Sequence, residues 1–183
     1  MNRVDKKFGE LREKGRIALV TYITTGDPSP DMTVDIALQL EKSGADIIEL
    51  GVPFSDPMAD GPTIQLASER ALKHGTSLKN VLETVKRIRK TSEVPLILFG
   101  YYNPFYKYGL EKFASDAAEA GADGVLVVDL PPEEVAEFKV HTDRAGLKLV
   151  FLLAPTSTEE RIKQFAENAG GFVYLVSVTG GTV

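Results

Sequence analysis

Short apolar segments that alternate with helical patterns constrain the fold of this chain more than any other feature of its sequence. The apolar segments start 30, 49, 28, 24 and 24 residues apart. Most are near-continuous apolar runs, which are typical of strands covered on both faces of a parallel sheet. Six strands are predicted, at Ile17–Ile23, Ile47–Leu50, Leu96–Tyr101, Gly124–Val128, Lys148–Leu153 and Phe172–Val178.

The segments between these strands show the apolar spacing of amphipathic helices. The stretches Gly44–Leu50 and Gly121–Leu130 also resemble each other, because in each a helix is predicted to end at glycine just before a strand begins. Repeated βα units predict a parallel sheet, and the lack of a G-x-G-x-x-G turn after the first strand favours a barrel over a dinucleotide-binding fold. No linker is evident, so residues 1–183 are predicted to form a single domain. The predicted helices are Asp31–Ser43, Pro62–Lys73, Leu78–Lys90, Leu110–Ala120, Pro132–Ala145 and Thr158–Asn168.

Composition excludes several functional classes. The 183 residues include no cysteine and two histidines, which argues against thiolate chemistry, zinc clusters and Ser-His-Asp catalysis. A net charge of −5 argues against nucleic acid or an anionic membrane as partner. The sequence shows neither a signal-like apolar stretch nor an apolar run of membrane-helix length, so a soluble, cytoplasmic protein is expected.

Glu49 is the first candidate functional residue, because it lies inside the apolar strand Ile47–Leu50. Alternation along a strand places Glu49 on the same face as Ile47. If that face is the barrel interior, desolvation raises the pKa of Glu49 toward a value useful for proton transfer. A structural carboxylate, bonded to the backbone or to a lysine, is the equally weighted alternative.

The long loop from Gly51 to Pro62 follows the same strand and contains Asp60. Functional sites of parallel barrels gather in such loops at the C-terminal ends of the strands. Asp60 has two interpretations, a helix-capping residue before Pro62 or a second carboxylate facing Glu49 across the barrel mouth. Capping is favoured by position alone, and Asp56 before Pro57 is typical of a turn.

Other polar and aromatic residues are predicted at the strand ends. A rim of this kind suits a flat aromatic ligand with one polar handle, although ordinary rim packing is the favoured interpretation for any single member. His74 and His141 are expected on the surface, and the basic residues of 86–90 on a solvated helix face. The rim residues are Tyr22, Tyr101, Asn103, Asp129, Ser177 and Thr179.

The stretch from Ile48 to Pro62 resembles the signature of the tryptophan synthase alpha subunit family almost residue for residue. Further segments match at Tyr22–Pro28, Tyr102–Pro104, Val127–Pro131 and Tyr174–Gly180. The resemblance implies a TIM (β/α)8 barrel that splits indole-3-glycerol phosphate, by retro-aldol cleavage, into indole and glyceraldehyde 3-phosphate. It implies that Glu49 protonates the ring carbon bearing the side chain, and that Asp60 binds the indole N–H.

The resemblance also implies a substrate pocket and a partner. No metal or organic cofactor is implied. The implied partner is the beta subunit, in an alpha2-beta2 complex, which uses pyridoxal phosphate to join indole to serine. Its contact surface would include Pro53, Asp56, Asn103 and Phe105, while Asp129 would contact the active-site loop. The implied substrate-binding residues are Tyr22, Phe99, Tyr101, Leu126, Leu152, Tyr174 and Thr182.

The sequence departs from the family pattern near Val183. Such a barrel needs about 250 residues, so about six of the eight βα units are expected here, without the loops that bind the substrate phosphate. Open edges at the first and sixth strands would permit self-association. A catalytically silent fragment that keeps scaffold or partner-binding ability is therefore the alternative to an active lyase. A third hypothesis, a different phosphate-handling barrel, is disfavoured by the segment from Glu49 to Asp60.

Overall fold

Six parallel strands form one sheet in the order of the sequence, and helices cover its outer face. The structure, a computed structural model, describes residues 1–130 and 132–176. Strand order and direction are as predicted, and they form successive βα units of a TIM barrel. The strands are β1 (Val20–Thr24), β2 (Ile47–Gly51), β3 (Leu96–Gly100), β4 (Gly124–Val127), β5 (Lys148–Leu153) and β6 (Val173–Leu175).

Eight α-helices occur in the described residues, two more than the sequence predicted. The additional helices are the first and the fifth, and the fifth is only seven residues long and contains Pro104. The predicted helix from Pro132 instead begins with a 3₁₀ turn and becomes an α-helix at Val135. The helices are α1 (Arg3–Glu13), α2 (Pro30–Lys42), α3 (Pro62–Lys73), α4 (Leu78–Arg89), α5 (Tyr102–Tyr108), α6 (Leu110–Ala120), α7 (Val135–Ala145) and α8 (Glu159–Asn168).

The first strand starts three residues later than predicted. Ile17 is 93% exposed, and the ladder with β2 begins at Val20 opposite Ile47. The Asp46 carboxylate accepts a hydrogen bond from the backbone N–H of Leu19 at 2.9 Å, just before the ladder. Ile17 therefore lies outside the paired region, and its apolar character does not indicate burial in this structure.

The strands separate two apolar cores. Residues that point outward, such as Ile48 and Leu98, pack against the surrounding helices. Residues that point inward form a smaller cluster with Val4 of α1, and this cluster contains Ile47, Ile97, Leu126 and Val150. The near-continuous apolar runs follow from this arrangement, because both faces of the central strands are buried.

The sheet curves so that distant strands face each other across its concave side. The ring of Phe99 on β3 contacts the ring of Tyr174 on β6 with a centroid separation of 6.3 Å, although β4 and β5 lie between them in the sheet. Phe8 of α1 likewise contacts Phe172, just before β6. The inward-facing side chains of different strands therefore share one interior.

An ion-pair network at the N-terminal ends of the strands corrects one prediction. The guanidinium of Arg89 has an exposed side-chain fraction of 9% and pairs with the buried carboxylate of Asp123 at 2.6 Å. It also donates to the backbone carbonyls of Gly121 and Val94. Arg89 therefore belongs to the interior and not to the solvated helix face expected for residues 86–90.

Among the described residues, no helix is long and apolar enough to cross a membrane.

Candidate active site

Glu49 points into the concave interior from the middle of β2. It shares its face with Ile47, as predicted, and its side chain is 3% exposed. Burial raises the pKa of Glu49 from the ordinary value of 4.5 to about 7. Its Oε1 atom has no hydrogen-bond partner among the described residues. The Oε1 atom therefore gives no support to the alternative of a carboxylate bonded to the backbone or to a lysine. A carboxyl group with a pKa of about 7 can give or take a proton near neutral pH.

Tyr22 is the neighbour of Glu49 in the parallel ladder between β1 and β2. Its hydroxyl lies 3.3 Å from the Oγ1 atom of Thr24, and burial raises its pKa to about 12. Gly51 makes room for this hydroxyl, since a Cβ atom at position 51 would lie 2.2 Å from it. The charges of Glu49 and Asp60 both raise the pKa of Tyr22 further, so the hydroxyl stays protonated close to both carboxylates.

Aromatic and aliphatic side chains line the concave face beside Glu49. The ring of Phe99 meets Tyr22 edge-on at a centroid separation of 5.2 Å and Tyr174 at 6.3 Å. Leu126 is completely buried on the same face, and Leu152 is half-buried. The structure thus brings together five of the seven residues predicted to bind substrate, and their apolar surfaces suit a flat aromatic ring.

Asp60 lies at the end of the loop between β2 and α3, and the structure does not support the capping interpretation. Gly61 occupies the N-cap position of α3, with no side-chain cap hydrogen bond, and Pro62 is the first helical residue as predicted. The Asp60 side chain is half-buried. Burial raises its pKa, while a hydrogen bond with the Tyr101 hydroxyl acts in the opposite direction.

Tyr101 and Asp129 follow the ends of β3 and β4. Tyr101 is 4% exposed, its ring packs against Phe54 with a centroid separation of 5.2 Å, and its hydroxyl accepts a hydrogen bond from the N–H of Ala59 at 2.9 Å. The carboxylate of Asp129 accepts a hydrogen bond from the N–H of Tyr102 at 2.7 Å, at the start of α5. Each of these side chains therefore binds a backbone N–H group at the barrel mouth, that of Ala59 for Tyr101 and that of Tyr102 for Asp129.

Of the four residues predicted to contact a partner, two are exposed and two are not. Asp56 and Asn103 are exposed at the mouth. Phe105 is completely buried, and the centroids of its ring and of the Phe113 ring are 4.6 Å apart. Pro53 is also buried. The side chains of Phe105 and Pro53 therefore pack into the protein, and their contact with a partner stays a prediction.

The remaining predicted positions lie elsewhere. Thr182, Ser177 and Thr179 fall outside the described residues. His74 is exposed at the end of α3, as expected, whereas His141 is half-buried. Within the part of the chain that the structure describes, no group of three or more His, Cys, Asp or Glu residues is arranged to hold a metal ion.

Sequence reasoning missed the residues that shape the site without carrying charge. Phe54 and Ala59 hold the loop to Tyr101, and Gly51 leaves space for the Tyr22 hydroxyl. Gly51 had a usable signal, because strand alternation places it on the face of Glu49. The contacts of Phe54 and Ala59 depend on the folded path of the loop, which the sequence pattern does not reveal.

Comparisons with known proteins agree with this geometry. The family model described as Tryptophan synthase alpha chain matches residues 8–183. The chain belongs to the tryptophan synthase alpha chain family. It is 60% identical over 182 residues to the alpha chain of Geobacter sulfurreducens and 59% identical to that of Geotalea daltonii. Both alignments cover 100% of this chain and 69% of the relative.

Solved structures of tryptophan synthase show the same fold. The alpha subunit from Legionella pneumophila superimposes with a TM-score of 0.94 at 49% identity, over 97% of this chain and 68% of that one. A chain of tryptophan synthase from M. tuberculosis in its aminoacrylate-bound form gives a TM-score of 0.92 at 38% identity, over 97% of this chain and 72% of that one. The chain thus has the alpha-chain fold over about two thirds of the length of its relatives. Membership of the family assigns it to the lyases of tryptophan biosynthesis.

Proposed function

We propose that this chain catalyses the retro-aldol cleavage of indole-3-glycerol phosphate to indole and glyceraldehyde 3-phosphate. The observation that carries the proposal is the buried carboxyl of Glu49, whose pKa of about 7 suits proton transfer to and from a substrate near neutral pH. Substrate would lie against the apolar faces of Tyr22, Phe99, Leu152 and Tyr174, with Leu126 beneath. Thr182, which is outside the described residues, remains a proposed substrate-binding residue.

Each proton and electron pair has a place in this reaction. The protonated Glu49 carboxyl gives its proton to the indole ring carbon that bears the side chain, which leaves a positive charge on the ring nitrogen. Asp60 accepts a hydrogen bond from the ring N–H and stabilises that charge. The bond between ring and side chain then breaks, and its electron pair restores the aromatic indole. The side-chain hydroxyl becomes the aldehyde by losing its proton to the Glu49 carboxylate.

Indole release from indole-3-glycerol phosphate tests this proposal directly. We expect Glu49→Gln to abolish turnover because glutamine carries no proton to transfer. Asp60→Asn should reduce kcat by at least a hundredfold because the anion is lost from a partly buried site. Glu111→Gln, at an exposed position on α6, is the matched control and should keep the wild-type rate. An unchanged rate in Glu49→Gln would refute the acid–base assignment, and a folded wild-type chain that releases no indole would indicate the silent scaffold instead.

We further propose that the barrel mouth binds the beta subunit of tryptophan synthase. Asp56 is exposed on the loop after β2, and Asn103 is exposed on α5. The two segments lie together, because Tyr101 just before α5 contacts both Phe54 and Ala59 of the loop. We expect Asp56→Ala and Asn103→Ala each to weaken capture by a tagged beta subunit. Equal capture of both variants and the wild-type chain would contradict this surface.

We also propose that the chain self-associates through the edges of its sheet. β1 and β6 are the edge strands of the described sheet; Ile17, just before β1, is 93% exposed, and Leu175, within β6, is 68% exposed. Unpaired edges with apolar neighbours favour pairing between chains. Sedimentation velocity should therefore detect species heavier than a monomer, and a single monomeric species at all concentrations would contradict the proposal.

A further inference from the structure

Tyr101 contacts both ends of the loop that carries Asp60. Its ring lies against Phe54 near the start of the loop, and its hydroxyl accepts the hydrogen bond from Ala59 next to Asp60. The side chain is 4% exposed, so these contacts are shielded from water. A single tyrosine from the end of β3 therefore spans the loop from its first turn to its last.

The loop has few other connections to the protein. In the described part of the chain, the other hydrogen bonds of residues 53–60 run within the loop or to Gln65 of α3. Residues 55, 56, 58 and 59 are exposed, and Met58 is 92% exposed. The path of the loop, and with it the position of Asp60, thus depends on Tyr101 more than on any other described residue outside the loop and α3.

The Tyr101 hydroxyl also meets the Asp60 carboxylate. Because burial raises the pKa of Tyr101, and the charges of Asp60 and Asp129 raise it further, the hydroxyl keeps its proton and can donate a hydrogen bond to Asp60. This bond lowers the pKa of Asp60 against the effect of burial. Among the described residues, Tyr22 also interacts with the charge of Asp60, and its raised pKa keeps it neutral near pH 7.

We propose that Tyr101 is a positioning residue, whose hydroxyl holds the end of the loop at Ala59 and thereby keeps the Asp60 carboxylate in place beside the bound indole ring. This inference rests on the function proposed above and differs from the pocket-lining role that the sequence resemblance implies for Tyr101. A pocket wall contributes through its ring, whereas a positioning residue contributes through its hydroxyl. The two roles predict different effects when the hydroxyl alone is removed.

Tyr101→Phe makes that change, because it keeps the ring against Phe54 and removes both hydrogen bonds of the hydroxyl. The control is Tyr102→Phe at the next position in the chain, which removes a hydroxyl that donates to Glu134 at 3.1 Å. NMR titration of protein labelled at the aspartate carboxyl carbons measures the Asp60 pKa directly. The Asp60 signal is assigned by its absence from the spectrum of Asp60→Asn. We expect that pKa to rise by about one pH unit in Tyr101→Phe and to stay unchanged in Tyr102→Phe.

Turnover gives a second readout. We expect Tyr101→Phe to lower kcat about tenfold, to leave KM within about twofold, and to move the acid limb of the pH profile upward. The same substitution on the Asp60→Asn background should add no further loss, because the two residues act as one unit. Faster exchange of the Ala59 amide hydrogen in Tyr101→Phe would report the loosened loop independently.

The outcomes separate this inference from the function on which it rests. An Asp60 titration and an Ala59 exchange rate identical to wild type would overturn the positioning role, and so would a loss expressed in KM alone. A wild-type chain without turnover would overturn the proposed function, while the titration would still decide the role of Tyr101.

Discussion

Replacing Glu49 by glutamine should stabilise the protein at alkaline pH and leave its stability unchanged in acid. The folded protein raises the pKa of Glu49 from 4.5 to about 7, so between these values the folded state holds a proton that the unfolded state has lost. The contribution of Glu49 to stability is therefore fully present below pH 4.5 and is lost as pH rises to about 7. At 1.36 kcal/mol per pH unit, ionising this carboxyl costs the folded state about 3 kcal/mol. Glutamine has nearly the same shape and no charge, so the variant avoids that cost.

Urea unfolding followed by circular dichroism, at steps from pH 4.5 to pH 8.5, measures this difference. We expect the free energy of unfolding of Glu49→Gln to match the wild type at pH 4.5 and to exceed it by about 3 kcal/mol at pH 8. The control Glu111→Gln alters an exposed side chain and should stay within about 0.5 kcal/mol of wild type throughout. A difference between Glu49→Gln and wild type that does not change with pH would refute the reasoning, because burial of an ionisable carboxyl demands a pH-dependent term.

Three further results are expected. The kcat/KM for indole release should fall as pH rises through about 7, because Glu49 must be protonated to act as the acid; a rate still rising above pH 8 would contradict this. Gly51→Ala should lower the free energy of unfolding by about 1–3 kcal/mol in urea melts, since the new Cβ would lie 2.2 Å from the Tyr22 hydroxyl; wild-type stability would mean that the ring moves freely. Asp123→Asn should cost about 3 kcal/mol or more, because it leaves the guanidinium of Arg89 buried without its counter-ion; a loss below 1 kcal/mol would show that the pair is solvated.

The features of the sheet that follow from apolar patterning were predictable from the sequence. The spacing of the apolar runs indicated parallel strands, and alternation along β2 placed Glu49 on the face of Ile47. Burial of that face then raised the pKa of Glu49 as expected. These inferences succeeded because they depend on residues adjacent in the chain. In a strand, each such side chain can point to only one of the two faces of the sheet.

The predictions that failed concern side chains whose surroundings come from distant segments. Arg89 lies in a basic stretch, and its burial depends on Asp123, which is 34 residues away. Asp60 lies two residues before Pro62, where a cap or near-cap was favoured, yet Gly61 takes the N-cap position and the loop places Asp60 near Tyr101. Local pattern alone cannot show such contacts.

The two proposed catalytic carboxylates differ in what surrounds them, and this difference supports distinct roles. Glu49 lies among apolar strand residues, with no hydrogen-bond donor to its Oε1 atom in the described chain, so its neutral form is favoured until about pH 7. Asp60 is only half-buried; burial raises its pKa, and the Tyr101 hydroxyl opposes that effect. The two environments therefore suit the separate roles of an acid and an anion that the proposed reaction requires. Exchanging the two environments would give a site with the same residues that could neither protonate the ring nor stabilise the resulting cation, so the barrel interior and the loop each supply a necessary part of the chemistry.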